Sequence, residues 1–409
     1  MPSDVTHSPK TSEASRRALA LIVDGTVSSR ADLRTQLGIS ASTASSLVRR
    51  LLDTGVIEEV VDGPSTGGRR PARLQVIQND AAWLVAELGG GHLRLGVSTA
   101  QSTLLRVREC RLDIADGPAA TFTALRENWE QLLEDLPELQ ILSAAIALPG
   151  PVSAQTNELI APARMPGWHG VRIVDELQEA LNIPVHVEND ARAAALGEFI
   201  ARQESIPDLI YVKAGTGIGA GLISRGQLIH GGSGVAGDIT HVPVPGAEGR
   251  QCSCGRTGCL ETVASGAAIR RELVDQELEV SSIRDVIDLA VTFQPAATTA
   301  VRRSGKQLGT ALSSLVNFLN PSAVIIGGAL SGVDAYVAAV RSAIYDSSLA
   351  MTTQHLLIET TTAGSDAALI GLTRIARRSA PLPVPHDSAT RSASAPPSTI
   401  HRPAGGTPT

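Results

Sequence analysis

Little in these 409 residues suits a membrane, a secretion route or an oxidised framework. No apolar run approaches the roughly 18 to 20 residues that a spanning helix needs. The start, Met1 to Lys10, has no apolar core of the kind a secretory signal carries. Membrane partners are therefore not expected, and the expected location is the cytoplasm. Cysteine is scarce: there are four, three of them bunched together, too few and too close for a disulfide framework. Cys110 stands apart in a strand-like run and reads as a small buried hydrophobe. A strong charge of either sign is also missing, the net value being −6. From Arg16 to Gln78, however, nine arginines face six acids, so this part alone is suited to a polyanion. Solvated surface arginines give the same count, and motifs must decide.

What is there in quantity is apolar residue, 43%, enough to bury the cores of roughly two or three domains. Residues 1–15 and 380–409 are dominated by Ser, Thr, Pro and Ala and are expected to be disordered. Between them, helical periodicity over 16–78 gives way, near Ile77 to Ala81, to strand-like runs, Gly-rich turns and helices over 79–379. That alternation predicts an α/β domain.

The densest chemical signal is His241, ten residues, then Cys252-Ser253-Cys254-Gly255-Arg256-Thr257-Gly258-Cys259, followed by Glu261. Three thiols and an imidazole are ligands for zinc, and the glycines allow the chain to turn tightly around a small ion. With His241, Cys252, Cys254 and Cys259 all supplied by protein, no coordination position stays open. The loop 241–259 therefore reads as a structural tetrahedron.

The 16–78 segment has the grammar of a winged helix-turn-helix. Ser29-Arg30-Ala31-Asp32 has capping-box spacing, and Leu33 and Leu37 then share a face. Gly38 ends that helix. Ser40 caps a second one, with Ala44, Leu47, Val48, Leu51 and Leu52 as its buried stripe. Opposite lie Ser42, Thr43, Ser45, Ser46, Arg49 and Arg50, short hydrogen-bonding groups followed by cations, which suits insertion into a major groove with phosphate clamps at one end. Ile57 to Val61 and Leu74 to Ile77 predict a hairpin. The Gly67-Gly68-Arg69-Arg70-Pro71 tip between them places Arg69 and Arg70 to enter a narrow minor groove. The alternative is a helical protein-interaction module with a basic loop.

Taken together, these motifs resemble the repressor, open-reading-frame and kinase (ROK) family over about Arg16 to Arg378. The resemblance implies a two-lobed, actin-like sugar-kinase fold (ribonuclease H-like) behind the winged helix, assembled as a dimer or tetramer. Its members are sugar kinases or sugar-responsive regulators of double-stranded operator DNA. Glu188-Asn189-Asp190 to Glu198 is similar to the family's sugar motif. Asn189 and Asp190 become ligand contacts, and Asp190 the catalytic base if the chain is a kinase. Read without the family, the pair is a helix N-cap. Asp238-Ile239-Thr240-His241 resembles Glu-x-Gly-His, with the acid one methylene shorter and threonine in the place of glycine. Glu261 resembles another sugar contact, Leu148-Pro149-Gly150 the turn beneath the sugar, and Arg164 replaces an asparagine in the Asn-Leu-x-Gly-Trp segment. The alternative for the polar groups of the metal loop is that they satisfy one another.

The nucleotide elements disagree. Gly215-Thr216-Gly217 and Gly327-Gly328 resemble the second phosphate loop and the adenosine loop. The first phosphate loop, Asp-x-Gly-Gly-Thr in kinases, reads Glu87-Leu88-Gly89-Gly90-Gly91 here. With the acid lengthened and the hydroxyl gone, the retained glycines are expected to be vestiges that maintain the fold. The expected function is a sugar-released repressor of carbohydrate genes with a structural zinc ion; the alternative is an ATP-dependent sugar kinase with an auxiliary winged helix.

Overall fold

The computed structural model describes residues 9–60, 73–77, 80–100, 103–153, 156, 159 and 165–380. The first unit comprises α1 (Pro9–Val23), α2 (Arg30–Leu37), α3 (Ala41–Asp53) and a hairpin of β1 (Ile57–Val60) and β2 (Arg73–Val76). α1 begins inside the stretch 1–15 expected to be disordered. Ser15, Ala18, Leu19, Ile22 and Val23 are buried at helical spacing, and this stripe draws the preceding turn into the helix. At the start of α2 the Ser29 hydroxyl accepts the Asp32 N–H at 3.1 Å. The Asp32 carboxylate reaches one residue further back, accepting from the Ser28 N–H and hydroxyl. Gly38 ends α2 at φ 62°, a conformation that Cβ-bearing residues disfavour, and Ser40 caps α3. Leu33, Ala44, Leu47, Val48 and Leu51 close the core of the unit. Burying each leucine contributes about 1.5–3 kcal/mol. β1 and β2 pair antiparallel from Ile57–Val76 to Val60–Arg73; the expected arginine tip lies outside the described residues.

The remainder is built as two lobes of the same plan. In the first, β3 (Ala81–Leu88), β4 (His92–Thr99) and β5 (Arg106–Arg111) form an antiparallel meander. α4 (Pro118–Leu133) then crosses to β6 (Gln140–Leu148), and α5 (Ile173–Leu181) to β7 (Val185–Asn189). The sheet order is β5-β4-β3-β6-β7, with β3, β6 and β7 parallel. In the second lobe, β8 (Leu209–Ala214), β9 (Ile218–Ser224) and β10 (Gln227–Leu228) form the meander. A helical stretch follows, with α7 (Glu261–Ala264), α8 (Gly266–Asp275), α9 (Ile283–Val291) and α10 (Pro295–Leu319), and leads to β11 (Ala323–Gly327). α11 (Asp334–Ser347) and α12 (Ala350–Thr353) then lead to β12 (Leu357–Thr360). Its order, β10-β9-β8-β11-β12, repeats that of the first sheet strand for strand. In both lobes a glycine-rich turn, Gly89-Gly90-Gly91 or Gly215-Thr216-Gly217, follows the central strand, which itself needs only an apolar run. β3 and β11 are buried throughout.

Between the sheets lie α6 (Asp190–Ala201) and α13 (Ala367–Ser379). α6 packs on β8 and β9, and α13 on β3 and β6, so each helix faces one sheet and the other helix. α6 is not amphipathic in the usual sense, since Ala191 to Phe199 are all buried; most of α13 is buried as well. Their backbones meet at Gly197 and Gly371, where a Cβ on the first would overlap the Ala367 carbonyl and one on the second the Ala193 carbonyl. The far end of α13 grips the first unit. Arg378 Nε donates to Asp24 Oδ2 at 2.9 Å, Arg374 Nη2 to the Asp24 carbonyl at 3.1 Å, and Arg377 Nη1 to the Val23 carbonyl at 3.0 Å. Arg377 also lies over the Trp83 ring, and burial pushes its guanidinium down to about 10. Among the described residues no helix is long and apolar enough to cross a membrane.

Gly371→Ala forces two helix backbones apart in a filled interior. We expect it to lower unfolding stability by more than about 2 kcal/mol in urea titration. Gly90→Ala, where an added Cβ meets nothing within 4 Å, is the control and should change stability by less than about 0.5 kcal/mol.

Candidate functional site

Three groups of residues carry recognisable chemistry. On α3, Ser42, Thr43, Ser46 and Arg49 are exposed, while Ser45 and Arg50 are half-buried. Ser40 Oγ accepts the Thr43 N–H at 3.1 Å and lies 2.8 Å from both the Ser42 and Thr43 hydroxyls, so the helix N-terminus presents a connected set of small polar groups. Of the two adjacent arginines, Arg49 is the more exposed, while Arg50 has its Nε enclosed by protein. Arg69 and Arg70 lie outside the described residues.

The second group collects at the carboxyl ends of the parallel strands, where α/β sheets leave a crevice for ligands. Gly150 follows β6, Asn189 ends β7, Glu87 lies near the end of β3, and Lys213 near the end of β8. The bland reading of Asn189 is realised in full: Oδ1 accepts the N–H groups of Ala191 and Arg192, both at 3.1 Å, as the N-cap of α6. Its Nδ2 donates to the Gly150 carbonyl at 3.0 Å. Asp190 Oδ1 accepts the Ala191 N–H at 2.8 Å, and Oδ2 accepts from Lys213 Nζ at 2.8 Å. Lys213 also donates to Glu87 Oε1 at 2.5 Å, joining β8 of the second lobe to β3 and α6. Burial opposes the ammonium, but the charges of Asp190 and Glu87 prevail and hold Lys213 well above the ordinary lysine value.

Directly beneath, Glu188 is buried and shared. Its Oε1 accepts from Arg192 Nε at 2.7 Å and from the Asn189 N–H at 2.7 Å, and its Oε2 lies 2.8 Å from His230 Nε2. Burial works to raise this carboxyl, yet His230, Arg192 and the Asn189 N–H together carry it below its ordinary value. Arg192, 2% exposed, also donates to the Val152 carbonyl at 2.9 Å and to the Gly234 carbonyl, tying loops of both lobes to the start of α6. Arg164 lies outside the described residues. An open groove of about 590 Å³ bordered by Arg202, Asp334, Arg341 and Glu359 contains none of these residues.

Among the glycine loops, packing accounts for what was kept. Gly327 has no room for a Cβ because the Tyr211 hydroxyl fills that space, and Gly221 lies against Ala195 and the Ala191 carbonyl of α6. Gly215 and Thr216 offer their carbonyls to the N–H groups of Gly266 and Ala267 at the start of α8, at 2.8 and 3.0 Å. The Gly215 N–H donates to the Gly217 carbonyl at 2.9 Å, closing the turn on itself. Gly328 stands at φ 78° against the Ala214 carbonyl, and Gly89 closes the β3–β4 turn with its N–H on the His92 carbonyl at 2.8 Å.

The third group is the metal loop. His241, Cys252, Cys254 and Cys259 bring one donor atom each within 4.8 Å of one another. His241 Nδ1 is 3.4 Å from Cys252 Sγ, and Cys254 Sγ is 3.7 Å from Cys259 Sγ. Those spacings match the edges of a tetrahedron with metal–sulfur bonds of about 2.3 Å and metal–nitrogen bonds of about 2.0 Å, so the donor set can hold a metal ion. The Arg256 backbone N–H lowers the Cys254 thiol to about 7, whereas burial pushes Cys259 up to about 12. The Glu261 N–H donates to the Thr240 carbonyl at 3.1 Å, and Thr240 Oγ1 to the Ile218 carbonyl on β9 at 2.7 Å, linking the loop to the second lobe. The threonine that departs from the family pattern thus supplies an anchor that glycine lacks. Asp238 is exposed, and its carboxylate turns back to accept the Thr240 N–H at 3.0 Å.

Sequence reasoning missed Lys213, Arg192, Glu188 and His230 as a connected network. Its signal was a lysine within the apolar run Leu209-Ile210-Tyr211-Val212-Lys213-Ala214, and an arginine within the alanine-rich start of α6.

Residues 84–379 match the ROK family. The xylose repressor of Bacillus subtilis (strain 168) is 30% identical over 302 residues, covering 73% of this chain and 77% of that protein. The DNA-binding transcriptional dual regulator NagC of Escherichia coli (strain K12) is 27% identical over 331 residues, 75% of this chain and 78% of that one. Among solved structures, a ROK family transcriptional regulator described as a homologue of the E. coli MLC protein superposes with a TM-score of 0.70 at 25% identity, covering 90% of this chain and 96% of its own.

Elemental analysis of the purified protein is expected to find one metal ion per chain in the loop. Cys259→Ser should release it and lower the melting temperature by about 5 °C or more, since the ion's binding energy is also loop-folding energy.

Proposed function

The chain belongs to the ROK family as a transcriptional regulator, and from that premise we propose that it is a sugar-responsive repressor acting in the cytoplasm, released from its operator when the two lobes close on a sugar. The observation that carries this reading is mechanical. The helix whose first turn holds Asn189 and Asp190 crosses α13 backbone to backbone, and α13 ends on three arginines that grip Asp24 and Val23 of the helix-turn-helix unit. A ligand can bias DNA binding only through unequal affinity for two states. Lobe closure moves α6 against α13, and α13 is the part the DNA-binding unit rests on.

In this reading Asp190 takes a sugar hydroxyl as acceptor, and Asn189 and Gly150 frame the ring from β7 and β6. Arg164 remains a ligand contact on sequence grounds. With Nδ1 turned toward the metal position, His241 has Nε2 available to the effector, and Glu261 is tied through its N–H to the carbonyl of Thr240, the residue before the histidine. Asp238, exposed and committed to its own turn, contributes less. The metal is zinc, by the chemistry of three thiols and one imidazole, and its role is to brace this rim. Dimers or tetramers present paired winged helices to a two-fold operator, with Ser42, Thr43, Ser45 and Ser46 toward base edges and Arg49, Arg50, Arg69 and Arg70 toward phosphates and the minor groove.

The kinase alternative requires a catalytic base at Asp190 and a metal beside Glu87. Both carboxylates are already engaged by Lys213, which weighs against it.

Two variants test the reading by operator-binding anisotropy with xylose, N-acetylglucosamine and glucose as trial effectors. Asp190→Asn should hold operator affinity within about 2-fold while losing sugar-induced release; normal release by this variant would remove Asp190 from the site. Arg49→Ala should weaken operator binding by about 10-fold and reduce the salt slope by about one. Sustained ATP consumption with any of these sugars would favour the kinase instead.

A further inference from the structure

Lys213 stands on the central strand of the second sheet, in a run that is otherwise apolar, and its ammonium reaches across the seam between the lobes. Two carboxylates from the first half of the chain converge on it, Glu87 Oε1 at 2.5 Å and Asp190 Oδ2 at 2.8 Å. Glu87 is 5% exposed. Two carboxylates aimed at one point in a place poor in water repel each other unless a cation lies between them. In phosphoryl-transfer sites that cation is a divalent metal ion, held by carboxylates at about 2.0–2.6 Å and shared with the phosphates of the nucleotide. Here the place between the carboxylates is filled by a side chain.

We propose that Lys213 is a built-in cation that replaces a divalent metal ion between Glu87 and Asp190 and thereby removes metal and nucleotide from the closing of the lobes. The consequences follow from the tether. A metal ion arrives from solution, usually carrying phosphate; the ammonium is fixed to β8 and moves with the second lobe, so the seam carries its own counter-charge in every state. Of its three donors, two are used by Glu87 and Asp190, and the third is available to a ligand oxygen. The reaction centre of a kinase thus becomes a latch whose strength depends on how far β8 stands from β3 and α6. Placing the effector beside this latch rests on the function proposed above; the replacement of a cation rests only on the three side chains.

The test uses the full-length protein with its metal loop filled, titrated with MnCl2 by calorimetry and by the Mn2+ electron-spin-resonance signal. Lys213→Thr is expected to gain one Mn2+ site per chain, at least about 10-fold tighter than anything in the unaltered protein. The double variant E87Q/K213T is expected to lose that site again. A K213T chain that binds Mn2+ no better than the parent, or a gained site that survives in E87Q/K213T, overturns the proposal. If K213T folds only when Mn2+ or Mg2+ is supplied, that requirement supports it, and misfolding that neither ion relieves counts against it. In the unaltered protein, operator release by the trial sugars should be the same with and without Mg2+ and ATP; dependence on either overturns the proposal. Absence of any sugar response alongside a positive Mn2+ result would instead sink the effector reading and leave the role of Lys213 standing.

Discussion

The contact on which the rest depends is the crossing of α6 and α13 at Gly197 and Gly371. Each lobe is a sheet with one layer of helices outside it, and the two inner faces need something to bury. Two helices rich in alanine, glycine and larger apolar residues fill that space, and they fit only because their backbones touch. Interiors packed to crystal density deform in steps and not continuously, so a shift at one end of such a pair is passed on to the other. One end of α6 opens at the strand termini where Asn189, Asp190 and Lys213 gather. The last turns of α13 carry Arg374, Arg377 and Arg378 to the first unit. In the proposed reading, ligand chemistry and DNA chemistry therefore sit at opposite ends of one packed element.

Charge is distributed along this element in a consistent way. Carboxylates along it meet side chains from neighbouring or distant segments: buried Glu188 meets Arg192 and the His230 imidazole, buried Glu87 and half-buried Asp190 share Lys213, and buried Asp24 meets Arg378. Such pairs add little net stability over apolar packing, because desolvation offsets most of the attraction. Breaking one partner costs much more, since the remaining charge is left buried. They therefore act as position markers, fixing which loop meets which strand. The metal loop does the same in the second lobe, where the His241 donor meets those of Cys252, Cys254 and Cys259.

Much of the first unit was legible in the chain because its determinants are local. Ser29, Gly38 and Ser40 mark helix ends within a few residues of the groups they satisfy, and the stripe from Ala44 to Leu51 repeats at helical spacing. The metal loop was legible for a similar reason: ligand type and spacing are written in one stretch. The start of α1 was not, because the Ser and Pro content of 1–15 masks an apolar stripe that begins at its end. The sheet duplication was not, because identical strand order demands only buried runs in the right sequence order. The glycine loops were legible as turns, but not the reason for keeping them, which lies in Tyr211 against Gly327 and α6 against Gly221.

The sequence by itself determined the classes of chemistry present: a helix pair with small polar groups and cations on one face, a four-donor metal loop, and an Asn-Asp pair at a strand-to-helix turn. These rest on neighbours within one turn or one loop, where spacing alone controls geometry. Only the tertiary structure decided how they are connected. Lys213 meets Glu87 across 126 positions of chain, and Arg378 meets Asp24 across 354. No periodicity carries information over such separations, because those meetings are set by how two sheets pack on two helices.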